Sequence, residues 1–233
     1  MARTRAADYE AKRSHLLRTA APLFARHGYD RTSLAMIAVA AGVSKGLVYH
    51  YYPDKDAVLA DIIRRHLAEL IEVVTTAATP DGRAPERRLA EMAAALLAAY
   101  RDADAEHQVQ VAHLRLLPGP VQRELKEMER VLVTLFAEAL TAVEPRLAGD
   151  RRLLKPLTMS LFGMLNWAFL WFREDGAMTR VEYAALAARM VVLGAREAAG
   201  GAAAGGRRAA EAALRRAAPA VRPRRSPPRR GAS

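Results

Sequence analysis

The stretch that decides the fold runs Thr32-Ser33-Leu34-Ala35-Met36-Ile37-Ala38-Val39-Ala40-Ala41-Gly42-Val43-Ser44-Lys45-Gly46-Leu47-Val48-Tyr49-His50-Tyr51-Tyr52-Pro53-Asp54-Lys55-Asp56. Thr32 or Ser33 stands at the N-cap of a short helix whose inward residues are Ile37, Ala38 and Ala41. Gly42 supplies the left-handed conformation that ends a helix inside a tight turn. Val43 plugs that turn, and Ser44 caps a second short helix ending near Tyr51. Two short helices joined through a Gly turn form a helix-turn-helix unit, whose second helix enters the major groove N-terminus first. Lys45 offers a cation there, Gly46 lets the backbone approach closely, and Tyr49, His50 and Tyr51 carry hydrogen-bonding heads on flat bodies. Val48 and Tyr52 fall on the side that packs back on the first helix, while Asp54 caps the next helix and sets Lys55 in its first turn.

Outward from this unit the chain reads as helix throughout, and no segment alternates as a strand would. Leu16, Ala20 and Phe24 stack at i, i+4 in a helix near 8 to 27, stopped at Gly28. A helix near 55 to 77 carries Leu59, Ile62, His66, Leu70 and Val73 inward, with Asp61, Arg65 and Glu69 as a charged ladder toward solvent. Further helices are expected over 85 to 100, over 104 to 117, after Pro120, over 150 to 172 and from the Thr179/Glu182 capping box to about 199. The fold class is all-α: a three-helix helix-turn-helix domain over 1 to 55, then a helical bundle over 56 to 199. From Gly200 onward Ala, Gly, Arg and Pro leave too little apolar surface to offset ordering, so 200 to 233 is expected to be disordered, with a short helix near Arg207 to Ala217 conceivable.

The net charge is +11 over 233 residues, which points to a polyanionic partner, nucleic acid before membrane. Its distribution is uneven: residues 200 to 233 carry +8, residues 1 to 55 carry +5, and the bundle between them carries −2. The absence of cysteine excludes disulfides and thiolate metal sites. The N-terminus has no apolar signal core, and the longest mainly apolar stretch, 157 to 172, is short of the roughly 20 residues a span needs. A cytoplasmic protein without a membrane partner is expected.

On the residues quoted above, 9 to 59 resemble the DNA-binding domain of the TetR/AcrR family of bacterial transcriptional regulators, most closely over Ala40–Gly46, Val48–Pro53 and Lys55. With the helical remainder, the resemblance covers roughly 1 to 199. It implies that Thr32, Ser33, Lys45, Gly46, Leu47, Tyr49, His50 and Lys55 touch operator DNA, beside Ser44 and Tyr51 from the same helix. Leu47 departs from the polar residue that the family often has there, which turns a hydrogen bond into an apolar contact. Arg3 and Arg5 either reach into the minor groove or belong to a disordered arm.

Such a regulator couples DNA binding to an effector and works as a two-fold homodimer. Helix 150 to 172 is apolar on most of its circumference, more than one solvent-facing helix can carry. Burying Phe162, Leu165, Phe169 and Phe172 against a second copy, together with Tyr183, Leu186, Met190 and Leu193, would resolve this. Candidate effector contacts are Met92, Leu96, Tyr100, His113, Leu117, Met128, Leu132, Asn166, Trp167 and Trp171, although a Met and aromatic stripe is most simply core. Asn166 is the most specific of these, because a buried amide needs partners. Met159–Trp167 with Trp171-Phe172-Arg173 resembles members that respond to acyl-CoA thioesters, so an acyl-CoA or similar elongated apolar effector is expected.

No nucleophile elbow, phosphate loop, dinucleotide fingerprint or zinc-helix His pair occurs, so neither enzyme activity nor a cofactor is expected. Asp102, Asp104, Glu106 and His107 read as a solvated acidic turn, and His66 and His113 as isolated core histidines. A nonspecific basic DNA-binding or chromosome-organising protein acting through the Arg-rich tail is the alternative. Deleting 200 to 233 is expected to flatten the salt dependence of DNA binding while leaving operator preference intact. Competition binding against random DNA across a salt series checks this, and loss of preference would refute it.

Overall fold

The computed structural model describes residues 2–203. Nine α-helices, and no strands, make up its regular structure among the described residues. Helix α1 (Ala2–His27) ends at Gly28, whose φ of 77° turns the chain. It begins at Ala2, so the backbone of Arg3 and Arg5 belongs to the first turns of α1, not to a loose arm. Helix α2 (Leu34–Ala41) is capped by Ser33, whose Oγ accepts from the Met36 N–H at 3.2 Å. Gly42 (φ 65°) closes it with two bonds: its own N–H to Val39 at 3.1 Å, and that of Val43 to Ala38 at 3.0 Å. That is a Schellman closure, which a residue with a Cβ enters only under strain.

Helix α3 (Lys45–Tyr51) follows, capped by the Ser44 Oγ on the Leu47 N–H at 3.2 Å, and its axis is bent 113° from that of α2. The angle is that of a helix-turn-helix. Asp54 then caps the long helix α4 (Lys55–Ala78), its carboxylate accepting from the Ala57 N–H at 2.8 Å.

The rest is a bundle of α5 (Pro85–Asp102), α6 (Asp104–His113), α7 (Gly119–Val143), α8 (Arg151–Asn166) and α9 (Arg180–Ala203). Helix α4 packs on α5, α6 and α7 and also reaches α1, while α9 lies against α5 and α8. One continuous apolar core runs through both ends of the molecule. The capping box forms as expected: the Thr179 N–H donates to the Glu182 carboxylate at 2.7 Å, and the Glu182 N–H to the Thr179 hydroxyl at 3.2 Å.

Several expectations are corrected. Helix α6 stops at His113 and tightens into a 3-10 turn, Leu114–Leu116. The helix expected over 150 to 172 stops at Asn166, where the chain turns 3-10 over Ala168–Leu170. The segment Arg151–Leu170 is long and apolar enough to cross a membrane by length and composition, but this break divides it. Helix α9 continues through Gly200 to Ala203, past its expected end near 199. The expected short helix at Arg207 to Ala217 lies outside the described residues.

Asp61 is the largest correction, because it is no part of a solvent ladder: it is 3% exposed. It accepts from Arg13 Nε at 2.9 Å and Nη2 at 2.7 Å, and from the Tyr52 hydroxyl at 2.6 Å, with Arg64 at 3.7 Å. Burial, and next the bond to Asp61, push the Tyr52 phenol well above its ordinary pKa. Asp61→Ala is expected to cost about 3 kcal/mol of unfolding free energy, the low end for breaking a buried pair. The low end applies because the Arg13 side chain is 32% exposed and regains some water. Urea denaturation checks this, and a loss below about 1 kcal/mol, the scale of an exposed pair, would contradict it.

Candidate DNA-binding surface and effector cleft

Helix α3 buries Val48 completely and holds Tyr52 in the core behind it, as its pattern requires. Its outward face carries Lys45, Gly46, Tyr49 and His50, with Tyr49 49% exposed. The Lys45 ammonium lies 5.6 Å from the centre of the Tyr49 ring, so the two form one cationic and aromatic patch. Ser33 and Ser44 are exposed at the two N-caps, each with its hydroxyl committed to a backbone N–H. Leu47 is half-buried at the edge of the patch. Tyr51 is half-buried too, its ring 4.6 Å from Tyr9 of α1, with His50 edge-on at 5.4 Å.

Two expected contacts are placed otherwise. Thr32 is buried, and its hydroxyl donates to the carbonyls of Gly28 at 2.8 Å and Leu23 at 3.3 Å. It closes the α1–α2 turn and has no side-chain atom to offer DNA. Lys55 is half-buried, donating to the Tyr29 carbonyl at 3.0 Å and lying 4.1 Å from the centre of the Tyr29 ring. The Tyr29 hydroxyl in turn bonds Asp56. Lys55 therefore clips the turn to the start of α4, and any phosphate contact would share it with the carbonyls of Tyr29 and, at 3.4 Å, Asp30.

Within the bundle a cleft of about 180 Å³ opens between α4, α5, α6, α7 and α8. Leu70, Tyr100, Gln110, Glu129, Leu132, Val133, Met159, Phe162 and Asn166 line it. The Tyr100 hydroxyl donates to Asn166 Oδ1 at 2.7 Å, and the Gln110 amide donates to Glu129 at 2.9 Å. Behind them the His107 ring stacks on Tyr100 at 3.9 Å, and its Nε2 sits 3.2 Å from the Asn166 carbonyl. A carbonyl only accepts, so Nε2 carries the proton and Nδ1 is the bare acceptor. The same bond takes the Asn166 carbonyl away from the helix ladder where α8 stops.

His66 lies 5.7 Å from His107, so neither ring is isolated, and His107 is buried, not on a solvated turn. Burial lowers the pKa of both imidazoles; for His66, with the His107 charge as a second cause, it falls to about 3. Burial and then the Glu129 charge raise the Tyr100 phenol. His66 Nε2, His107 Nδ1 and Gln110 Oε1 are enclosed without a hydrogen-bond partner.

Of the ten effector contacts expected, Tyr100, Leu132 and Asn166 line this cleft. Leu96 and Leu117 are plain core, and Met92 lines a separate groove. His113 and Met128 are half-buried away from the cleft, and Trp167 and Trp171 are more than half exposed. The polar lining residues Gln110 and Glu129 were not anticipated; their signal was a Gln and a Glu on inward helical positions of otherwise apolar faces. The expected dimer residues also divide. Phe162 and Leu165 are buried within the protomer, Phe162 edge-on to Phe136 at 5.0 Å, and so present nothing to a partner. Phe169 packs on His107, and Phe172 on Tyr183. Leu186, Met190 and Leu193 do form an exposed stripe on α9, and α8, which packs on α9, exposes Met159, Ser160 and Gly163, with Trp167 exposed just past its end.

The family model described as bacterial regulatory proteins, tetR family, matches residues 16–62, and the one described as tetracyclin repressor-like, C-terminal domain, matches residues 82–195. The chain belongs to the TetR family. It is 34% identical over 177 residues to the HTH-type transcriptional repressor KstR2 of Rhodococcus jostii, spanning 72% of this chain and 83% of that one. A crystal structure of a TetR-family transcriptional regulator from Bordetella parapertussis superposes with a TM-score of 0.72 at 31% identity, over 77% of this chain and 93% of that one. The fold also matches that of AibR in complex with isovaleryl coenzyme A and operator DNA, with a TM-score of 0.65 at 23% identity, over 77% and 97% of the two chains. This TetR-family chain is a DNA-binding transcriptional regulator, and these relatives are regulators, not enzymes.

The depressed His66 gives a pH signature. Its folded pKa of about 3 lies below the ordinary value near 6.5, so the unfolded chain binds the proton first. The stability this contributes is complete above about pH 6.5 and is lost as pH falls toward 3, by roughly 1.4 kcal/mol per unit. His66→Leu is expected to flatten the slope of stability between pH 6 and pH 4 by about one proton. Denaturant unfolding across that range measures it, and an unchanged slope would refute it.

Proposed function

We propose that this TetR-family regulator is a homodimeric, effector-responsive repressor that is released from a palindromic operator by a small apolar effector, an acyl-CoA or a similar elongated molecule. Residues 1 to 55 would form the reading head and 56 to 199 the sensing and dimerising body, acting in the cytoplasm. The observation that carries the reading is the solvent-facing Lys45, Tyr49 and His50 patch on α3, which Ser44 caps, with Ser33 beside it at the cap of α2. Gly46, Leu47 and Tyr51 would complete the contact with bases and phosphates.

The exposed Leu186, Met190 and Leu193 stripe, with its α8 neighbours, is the surface that a second copy would cover. Dimerisation would set two α3 helices about one DNA turn (~34 Å) or more apart. The cleft between α4 and α8 would take the effector. At about 180 Å³ it is smaller than the roughly 300–1,000 Å³ of most small-molecule sites, which suits an acyl group with the remainder of a CoA ester outside. The acyl-CoA class is supported by the likeness of Met159–Trp167 to responsive members and by isovaleryl coenzyme A in AibR.

The Arg-rich tail, at +8, favours nonspecific binding as a second reading. Footprinting on DNA flanking the gene separates the two: a bounded palindrome supports the repressor, and featureless protection supports the other. On the operator so found, Lys45→Ala is expected to weaken binding by about tenfold. Isovaleryl-CoA and longer acyl-CoAs are expected to raise the melting temperature and release the DNA. No shift and no release for any of them would overturn the acyl-CoA assignment.

A further inference from the structure

At the end of the bundle far from α3, a groove of about 400 Å³ lies between the C-terminal turns of α4, the first turns of α5 and the last turns of α7. Its floor and walls are apolar, chiefly Ala78, Met92, Leu135, Ala139 and Ala142. Arg88 projects into this lining. The arginines around it are matched: Arg83 pairs with Asp81 and Glu91, Arg87 with Glu91, and Arg196 with Glu86. Arg88 has no ion pair or hydrogen bond at contact distance among the described residues, although its charge acts at longer range on the Asp81 carboxylate, and its Nε is enclosed without a partner. Glu138 is on the same lining, exposed and unpaired with Arg88, and Thr75 and Thr79 stand at the rim.

A half-buried guanidinium without a contacting anion is costly, and one at the edge of an apolar channel is matched by one kind of molecule. That molecule carries a planar anion for the guanidinium fork and a hydrocarbon body for the channel. Glu138 repels a second negative charge, which favours a monoanion over a dianion. The groove volume falls within the range of small-molecule sites, which the cleft lined by Tyr100 and Asn166 does not reach. Met92 and Tyr100 stand eight residues apart on α5, about 12 Å along the helix, so the two spaces are separate. We propose that this groove is a second ligand site, for an apolar monocarboxylate whose head group pairs with Arg88 while its chain lies against Met92, Leu135 and Ala139.

Isothermal titration calorimetry of the full chain with decanoate and with decanol tests the assignment. Decanoate is expected to bind one per chain and decanol to bind much more weakly. Arg88→Gln is expected to weaken decanoate by at least about tenfold without changing decanol. Arg88→Lys should keep part of the affinity, and Glu138→Gln should tighten decanoate by removing a competing charge. Circular dichroism and the melting temperature establish that each variant is folded; should Arg88→Gln fail to fold, the Arg88→Lys and Glu138→Gln shifts decide. No decanoate binding, equal binding of decanol, or equal decanoate affinity across the folded variants would overturn the proposal. Release of operator by acyl-CoA is expected to be unaffected by Arg88→Gln, so this result is independent of the effector reading above.

Discussion

The Asp61 carboxylate is the constraint on which the DNA-reading end depends. From a buried position on α4 it holds Arg13 of α1 by two bonds and the hydroxyl of Tyr52, at the C-terminus of α3, by a third. Helix α3 has only seven residues, far fewer than a helix needs to persist alone in water. Its direction is therefore imposed by what grips its two ends, Ser44 and the Gly42 turn at one and Tyr52 at the other. Lys55 adds a second clip, tying the α1–α2 turn to the first turn of α4. With those ends held, Lys45, Tyr49 and His50 have nowhere to point but outward.

The same logic appears farther along α4, beside His66 and Leu70, where several polar groups inside the bundle find one another. Tyr100 spends its hydroxyl on Asn166, His107 spends its ring N–H on the Asn166 carbonyl, and α8 stops there. A half-buried amide held by its partners thus accompanies the end of a helix and the opening of a cleft. The α8 break also divides the aromatic run that follows. Phe169 and Phe172 turn toward His107 and Tyr183, while Trp167 and Trp171 are left in the open.

Much of this was legible beforehand because the signals are local. Ser33, Gly42, Ser44, Asp54 and the Thr179/Glu182 pair each specify a cap through their own side-chain or backbone chemistry, and each cap is formed. The packing of Val48 and Tyr52 followed from helical period alone. Asp61 was misread for an equally physical reason. Its i+4 partners are charged, so the pattern is that of a solvent face, and its true partners Arg13 and Tyr52 come from other helices. Thr32 was misread because a hydroxyl before a helix looks like a cap, and only the returning α1 carbonyls reveal its use.

Sequence by itself determined the all-helical class, the helix-turn-helix and its outward residues, because caps, glycine turns and the 3.6-residue period act over a few residues. Only the tertiary structure decided which apolar residues face the core and which face outward. Phe162 and Leu165 are apolar like Leu186 and Met190, yet the first two are enclosed by α7 and its neighbours and the last two are open. Composition registers that a residue prefers to leave water. Which surface receives it depends on the crossing of helices that lie far apart in the chain, and so does the meeting of His66 with His107.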